Sequence, residues 1–329
     1  MRKWLVALSL MLACMAGRAE AQVKTLEVVT FGGGNNWPVW IATEQGFFAK
    51  NNLAVNLTLT PGSVPLMQNL VGGKFDIALM AIDNLVAYME GQGEAKLPAE
   101  PDLIAVFGSQ SGTMRLMALP EVKSYAELKG KDIGLDAKTT GFAFVLMKML
   151  EHGGLKPTDY NLVPAGGTPF RVQALLDKKI AATVVYSPFE VTLSEKGYNK
   201  IGDGIDVLGK YQGISGVVQR SWAKQHPEEL VRFIRSWIEA IDFLYDPKNA
   251  EAAAAILQKN AKLTPEQAAV SYKLMLGEKE GFQKKGKIDL DGIRTVLKLR
   301  SEYGTPKKEL SDPAKYVDET WYRQALGEM

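Results

Sequence analysis

The sequence predicts an α/β protein built from two lobes with a hinge and a cleft between them. Short apolar runs alternate with helical patterns from Thr25 onward, as in parallel β-α-β units. The alternation then restarts in a second unit, and beyond Val218 only helical patterns remain. We therefore expect a first lobe made of residues 22–112 and 217–329, and a second lobe made of residues 113–216.

The first lobe is expected to begin with four strands joined by three helices. Its strands are apolar or alternating runs bounded by turn residues, at 25–31, 53–60, 75–81 and 103–107. Its helices carry apolar residues at helical spacing, at 37–50, 64–71 and 84–90. The chain would cross to the second lobe near residues 111–115 and return near residues 213–219.

The second lobe and the tail follow the same kind of pattern. Predicted strands lie at 133–136, 161–164 and 182–186, and predicted helices at 141–150 and 172–178. Ser124 with Glu127 has the spacing of a capping box, and Thr264-Pro265-x-Gln267 is a predicted helix start with proline at the first helical position. Helices are also expected at 227–245, after Asp246-Pro247 and at 289–303. This tail has no predicted strands, so we expect it to pack onto one of the two lobes.

The N-terminus has the pattern of a secretory signal peptide. Arg2 and Lys3 precede an apolar run, and Ala19-Glu20-Ala21 matches a cleavage site, so residues 1–21 are predicted to be removed and the protein exported to the periplasm. Cys14 is the only cysteine. Lipid anchoring there is the alternative, but residues 11–13 match the lipidation pattern poorly. Without the signal peptide, basic and acidic residues are equal in number, which gives no electrostatic reason to bind nucleic acid.

The sequence lacks the usual motifs of an enzyme. The only histidines, His152 and His226, lie far apart and outside metal-ligand motifs, and no nucleophile elbow or P-loop occurs. Gly32-Gly33-Gly34 lacks the spacing of a dinucleotide site. We therefore predict a binding protein with no catalytic residue, cofactor or metal site.

Ligands of open α/β sheets bind beyond the carboxyl ends of the strands. The loops at those positions offer amides, hydroxyls, rings and carboxylates. The candidate ligand-binding residues are Asn35, Trp37, Asp83, Asn84, Thr139, Thr140, Gly141, Tyr186 and Glu190.

Each of these candidates has a structural alternative. Trp37 could stack on a ligand or pack beneath the lobe, and Asp83 could face the cleft or cap the helix that follows it. Thr139, Thr140 and Gly141 could bind an anion or only cap a helix.

The type of ligand stays open between two classes. None of these loops contains an arginine, and Asp83 and Glu190 are acidic, which favours a neutral or nitrogen-bearing solute such as a pyrimidine, or another aromatic compound. The alternative is a sulfonate or an aromatic carboxylate held by the amides of residues 139–141.

Two segments are similar to those of a known family. Residues 37–53 (WPVWIATEQGFFAKNNL) and 72–79 (GGKFDIAL) resemble conserved blocks of NitT/TauT-type periplasmic solute-binding proteins, the SsuA- and NMT1/THI5-like family. The resemblance implies the bilobal periplasmic-binding-protein fold of type II. It also implies a monomer that delivers a small molecule to a membrane permease powered by a cytoplasmic ATPase. By resemblance, six of the candidates fall where the family places ligand contacts: Trp37, Asp83, Thr139, Thr140, Tyr186 and Glu190.

Two other classes of protein remain possible on the same fold. One is an exported enzyme, although the cysteine cluster and active-site histidine of pyrimidine-synthesising relatives have no counterpart here. The other is the ligand-binding module of a sensor.

Overall fold

The computed structural model describes residues 23–112, 114–278 and 281–328. It contains two five-stranded mixed sheets, each covered by helices. The predicted signal peptide, its cleavage site and Cys14 lie outside the described residues. Within those residues, no helix combines the length and apolar character needed to cross a membrane.

The first sheet is built from the beginning of the chain and one later strand. Its strands are β1 (Lys24–Thr30), β2 (Leu53–Leu59), β3 (Ile77–Ala81), β4 (Leu103–Gln110) and β10 (Ile214–Gln219). The spatial order is β2-β1-β3-β10-β4. β1 pairs in parallel with β2 and β3, whereas β10 is antiparallel to β3 and β4. β3 and β4 are buried along their whole length, which agrees with their continuous apolar runs.

The second sheet contains the strands between the two crossings. They are β5 (Arg115–Ala118), β6 (Asp132–Leu135), β7 (Asn161–Pro164), β8 (Ala182–Val185) and β9 (Asn199–Asp203). Their order is β7-β6-β8-β5-β9, with β6 parallel to β7 and β8, and β5 antiparallel to β8 and β9. The sequence reading missed β5, β9 and β10. β5 is only four residues long, and β9 reads NKIGD, with little apolar signal.

The helices connect and cover the two sheets. In the first half of the chain they are α1 (Trp37–Glu44), α2 (Phe47–Lys50), α3 (Ser63–Val71), α4 (Ile82–Met89), α5 (Gly141–His152), α6 (Thr168–Leu176) and α7 (Phe189–Glu195). In the second half they are α8 (Gly204–Leu208), α9 (Arg220–Gln225), α10 (Pro227–Tyr245), α11 (Ala250–Ala261), α12 (Pro265–Met275), α13 (Leu290–Tyr303) and α14 (Thr320–Leu326).

Two local predictions are corrected by the backbone. The single helix predicted at 37–50 is two helices, because Gly46 between them takes a left-handed φ of 73°. The capping box predicted at Ser124 does not form, since the Glu127 carboxylate accepts from the amide of Lys123 instead. The helix start predicted at Thr264-Pro265 is confirmed, and the structure adds a capping box between Thr264 and Gln267.

The C-terminal helices contact elements of both lobes rather than one lobe alone. α10 buries a long apolar face, including Phe233 and Trp237, against the first sheet. α13 packs between α4 of the first lobe and α5 of the second. The prediction that the tail packs onto a single lobe was therefore wrong for α13, which spans the cleft.

Candidate functional site

A cavity of about 30 Å³ lies where the carboxyl ends of the parallel strands of both sheets meet. Residues at or just after the ends of β1 and β3, with the first residue of β10, form its first-lobe wall: Phe31, Ala81, Asn84 and Ile214. Residues that follow β6, β7 and β8 form the second-lobe wall: Asp136, Thr140, Gly141, Phe142, Gly167, Thr168, Arg171 and Tyr186. The cavity therefore lies in the cleft that the two-lobed fold predicts.

The two lobes touch each other around this cavity. Among the hydrogen bonds that cross between the lobes, three lie close to the strand ends at the cavity: Tyr186 hydroxyl to Gly32 carbonyl at 3.0 Å, Gly167 amide to Pro61 carbonyl at 2.8 Å, and Ser63 amide to the Asp136 carboxylate at 2.9 Å. Each joins a loop of one sheet to a loop of the other. The structure thus has its cleft closed, and a cavity of this size holds only a group as small as one or two waters.

The most unusual group in the cavity wall is Arg171, which is only 2% exposed. Its guanidinium donates four hydrogen bonds, all to neutral oxygens: Thr183 Oγ1 at 3.0 Å, Gly166 O at 2.8 Å, Thr168 Oγ1 at 2.9 Å and Val184 O at 3.1 Å. Among the described residues, no carboxylate lies within ion-pair distance of it. Burial lowers the pKa of Arg171, because a buried cation loses its hydration.

Two helices also begin at the cavity. α5 starts at Gly141, and the Thr140 hydroxyl caps it by accepting from the Ala143 amide at 3.3 Å. α6 starts at Thr168 and carries Arg171 one turn later, so the guanidinium turns back toward the helix start. Helix N-termini carry partial positive charge and free amides. Together with Arg171 they place positive charge in the second-lobe wall, which the Asp136 carboxylate offsets in part.

The remaining walls are aromatic and aliphatic, with one carboxylate. The Tyr186 ring lies between the rings of Phe142 and Phe189, at centroid distances of 6.3 and 5.9 Å. Burial raises the pKa of Tyr186 to about 12, so its hydroxyl is a neutral donor at physiological pH. Asp136 is the acidic wall residue, and one of its oxygens is already engaged by the Ser63 amide.

Four of the nine sequence-predicted site residues line the cavity: Asn84, Thr140, Gly141 and Tyr186. They fall where strand-end loops of both sheets converge. Thr140 fulfils both alternatives that the sequence left open, because it caps the start of α5 and also lines the cavity.

Trp37 is not in the cleft. Its ring is fully buried in the first lobe, where its Nε1 donates to the Ala253 carbonyl at 2.9 Å. Its edges meet the rings of Tyr272 and Phe282. The stacking prediction for Trp37 was therefore wrong, because helices from the distant C-terminal part of the chain enclose this ring.

Asp83 and Glu190 lie near the cleft but face arginines instead of the cavity. Asp83 Oδ2 accepts from Arg300 Nη1 at 2.8 Å, and Glu190 Oε1 lies 3.3 Å from Arg115 Nη1 and accepts from the Ser187 hydroxyl. These buried pairs neutralise both carboxylates. The prediction that they form an acidic ligand site is corrected accordingly.

Asn35 and Thr139 also lie outside the cavity wall. Asn35 is fully buried and donates to the Thr30 hydroxyl at 3.3 Å. The Thr139 side chain points to Glu94, with its hydroxyl 3.4 Å from the carboxylate, and its carbonyl accepts from Arg300. Both residues support the loops that carry the site.

Sequence reasoning missed Arg171 because it searched only the loops for a cation. The predicted helix at 172–178 began too late, whereas Thr168-Pro169 is a typical helix start that puts Arg171 in the first turn. Asp136 and Phe31 were missed because each was read as the last residue of a strand. No cluster of three or more His, Cys, Asp or Glu residues that could hold a metal occurs in the part of the chain that the structure describes.

The chain is similar to several known proteins. A binding protein of Brucella abortus strain 2308 is 26% identical over 206 residues, which make up 62% of this chain and 61% of that protein. The match thus spans under two thirds of the relative's length.

Among solved structures, the periplasmic nitrate-binding protein NrtA of Synechocystis PCC 6803 superposes with a TM-score of 0.76 at 15% identity, covering 93% of this chain and 89% of that one. The alkanesulfonate-binding protein SsuA of Xanthomonas axonopodis pv. citri, solved with MOPS, gives a TM-score of 0.71 at 15% identity, with coverages of 91% and 99%. At such identities the likeness establishes the fold, which is that of periplasmic binding proteins.

The model of the NMT1-like family matches residues 19–258, well over half of the sequence. The chain therefore belongs to the NMT1-like family.

Proposed function

We propose that this protein is the periplasmic solute-binding component of an ABC importer and that its solute is a compact organic anion. The solute would carry a carboxylate or sulfonate group beside an apolar or aromatic part. The fold, the family and the cleft between two sheets support the carrier role. The buried guanidinium of Arg171, hydrogen-bonded only to neutral oxygens among the described residues, is the observation that carries the choice of an anion.

A buried charge is costly unless a counter-charge compensates it. Arg171 makes four of the five hydrogen bonds that a guanidinium can donate, all to neutral oxygens, and the nearby Asp136 carboxylate attracts it without forming an ion pair. The starts of α5 and α6 add partial positive charge on the same side. An anionic group placed between these elements would receive charge-assisted hydrogen bonds and relieve the cost of burying Arg171.

This proposal favours the sulfonate or carboxylate alternative over a pyrimidine. The case for a nitrogen-bearing solute depended on free carboxylates at Asp83 and Glu190, and both are paired with arginines. Asp136 is the remaining acid in the cavity wall. A solute amine, as in an aminosulfonate, would meet Asp136, whereas a purely anionic solute would use Arg171 alone.

The apolar wall supports an organic solute rather than a bare inorganic anion. Phe31, Phe142, Tyr186 and Ile214 contribute aromatic and aliphatic surface to the cavity wall. The closed cavity, of about 30 Å³, is much smaller than a drug-sized ligand site. A solute of more than a few atoms would therefore bind with the lobes slightly further apart than they are here.

Closure explains how binding would be reported to a membrane partner. The solute contacts both walls only when the lobes meet, so its binding free energy shifts the protein toward the closed form. A permease that recognises the closed form then receives only loaded protein. In this proposal the protein acts as an exported monomer after cleavage behind Ala21, with lobes at 22–112 plus 217–329 and at 113–216.

A thermal-shift screen followed by calorimetry tests the class of solute. The panel would contain benzoate, benzenesulfonate, ethanesulfonate, taurine, nitrate, aniline and 4-amino-2-methylpyrimidine, at equal ionic strength. We expect carboxylates or sulfonates to raise the melting temperature, because a ligand that binds only the folded state stabilises it. A shift with the pyrimidine or aniline, and none with any anion, would refute the anion site.

The same samples separate a carrier from an enzyme. We expect one-to-one binding and unchanged ligand after prolonged incubation, analysed by mass spectrometry. A product formed in proportion to protein and time would replace the carrier with an exported enzyme. A gene neighbourhood with a membrane kinase instead of a permease and an ATPase would support the sensor alternative.

A further inference from the structure

We infer that Asp83 and Arg300 are positioning residues that hold the start of α5 against the first lobe and so set the closed geometry of the solute site. The inference depends on the proposed function only in that the two lobes open and close. Neither residue lines the cavity. Both act through Thr140 and Gly141, which do.

Arg300 lies on α13 and is completely buried where the two lobes meet. Its guanidinium reaches the first lobe through Gln92 Oε1 at 3.0 Å and Asp83 Oδ2 at 2.8 Å. It reaches the second lobe through the Thr139 carbonyl at 2.9 Å and lies 4.7 Å from the centre of the Phe144 ring. One rigid, planar side chain thus joins both lobes, which a flexible single-nitrogen cation could not do.

Asp83 supports the same turn from the other side. A Cβ built on Gly141 would lie 2.3 Å from Asp83 Cγ and 2.7 Å from Asp83 Oδ1. The first residue of α5 is therefore in direct contact with the carboxylate of the ion pair, and only glycine leaves room for it. The carbonyl of Thr139 and the Cα of Gly141 are fixed on either side of Thr140, whose hydroxyl caps α5.

The arrangement makes the ion pair sensitive to opening. If α5 moved away from α4, either the Arg300 bond to the Thr139 carbonyl or the bonds to Asp83 and Gln92 would break. The full set of Arg300 hydrogen bonds to both lobes is made only when the lobes meet. The pair therefore favours the closed form and aligns the start of α5 with the cavity.

More exposed contacts of α13 provide a matched comparison. Glu302 on α13 accepts from Lys148 on α5 at 2.8 Å, and the Tyr303 hydroxyl donates to Glu151 at 2.8 Å. The Lys148 pair is partly exposed, so it should contribute little. It crosses the same helix pair without touching the start of α5.

Closure can be measured without any ligand by cross-linking across the cleft. The polar side-chain atoms of Glu94 and Thr139 are 3.4 Å apart on opposite lobes. The variant Glu94→Cys/Thr139→Cys, with Cys14→Ser so that no other thiol is present, would be treated with a short bismaleimide. The rate of intramolecular cross-linking then reports how often the lobes close.

In that background we expect Arg300→Lys and Gly141→Ala to slow cross-linking at least fivefold. The Arg300→Lys variant would keep a cation beside Asp83 but lose the bridge to the second lobe. The added methyl group of Gly141→Ala would push the start of α5 from the pair while leaving both charges in place. Lys148→Ala should stay within twofold of the parent. Melting temperatures and far-ultraviolet circular dichroism of the ligand-free variants identify any that fail to fold.

Cross-linking of folded Gly141→Ala and Arg300→Lys at the parent rate would overturn the inference. Equal slowing by Lys148→Ala would overturn it too, because any contact between the lobes would then be enough to hold them closed. A parent that does not cross-link would overturn it as well, because the protein would then not adopt this closed arrangement. None of these results depends on the solute. A failed solute screen with normal cross-linking would reject the anion proposal and leave the positioning role intact.

Discussion

Replacing Arg171 with methionine separates its structural role from its role in binding. Methionine keeps much of the length of the side chain but removes the charge and four hydrogen bonds to neutral acceptors. Hydrogen bonds with a charged partner contribute roughly 1.5–3 kcal/mol each. Removing the buried cation also removes its desolvation penalty of several kcal/mol, which offsets most of that loss. We therefore expect the ligand-free protein to lose only about 1–3 kcal/mol of unfolding free energy.

Binding should respond more strongly than folding. Losing one partner of a buried, hydrogen-bonded charge pair typically costs about 2–5 kcal/mol. The lower end corresponds to an increase of roughly 30-fold in Kd. Calorimetry with the best anion of the screen gives the Kd, and urea unfolding of the ligand-free protein gives the stability.

A matched control is Arg294→Met, which removes an exposed arginine paired with Asp291 on the surface of α13. Its Kd and its unfolding free energy should both stay close to those of the parent. An anion that binds Arg171→Met as tightly as the parent would refute the reasoning, because Arg171 would then be a structural arginine only.

Three further predictions concern residues whose surroundings the structure defines. Trp37→Ala should lower the unfolding free energy, measured by urea unfolding, by about 3–5 kcal/mol and leave Kd within twofold, because the ring fills the core of the first lobe. A large loss of affinity at unchanged stability would show instead that Trp37 contacts the solute. The pKa of Tyr186 is raised to about 12 in the folded protein, whereas an unfolded tyrosine ionises near pH 10. The stability that the neutral, buried hydroxyl contributes is therefore present below pH 10 and falls by up to roughly 2 kcal/mol as the pH rises toward 12. Tyr186→Phe should therefore lose less stability than the parent across that range, and an equal loss in both would contradict this. For Glu90, burial raises the pKa, but hydrogen bonds from Lys315, Lys308 and the Tyr316 hydroxyl outweigh it and hold the pKa below the usual 4.5. Glu90→Gln should therefore destabilise the protein at pH 7, and the difference in unfolding free energy between parent and variant should shrink as the pH falls below 4.5. A difference that stays the same between pH 7 and pH 3 would contradict the role of the Glu90 charge.

Much of the fold could be predicted from local pattern. Apolar runs and helical periodicity identified the parallel strands and most helices, because burial of a strand or of a helix face needs apolar residues at regular spacing. Among the strands that escaped, β5 has only four residues and β9 is polar, whereas β10 lies in the segment that was assigned to the return crossing between the lobes. The pairing partners of all three lie far away in the chain.

The candidate site was predicted only in part. Strand-end loops indicated Asn84, Thr140, Gly141 and Tyr186, which line the cavity, since the carboxyl ends of parallel strands meet at one edge of a sheet. The acids were misread because sequence does not reveal that Asp83 pairs with Arg300, 217 residues later.

The sequence by itself determined the alternation of strands and helices, the loops at the strand ends and the family, because these depend on neighbours within a few residues. The tertiary structure decided which charges are compensated. It buried Trp37 under helices that begin some 200 residues further along, and it paired Asp83 and Glu190 with arginines. It left Arg171 hydrogen-bonded to neutral oxygens, with the Asp136 carboxylate in the same cleft wall but outside ion-pair distance. Whether a charge is neutralised depends on which distant side chains share its low-dielectric surroundings, and only the folded chain brings them together.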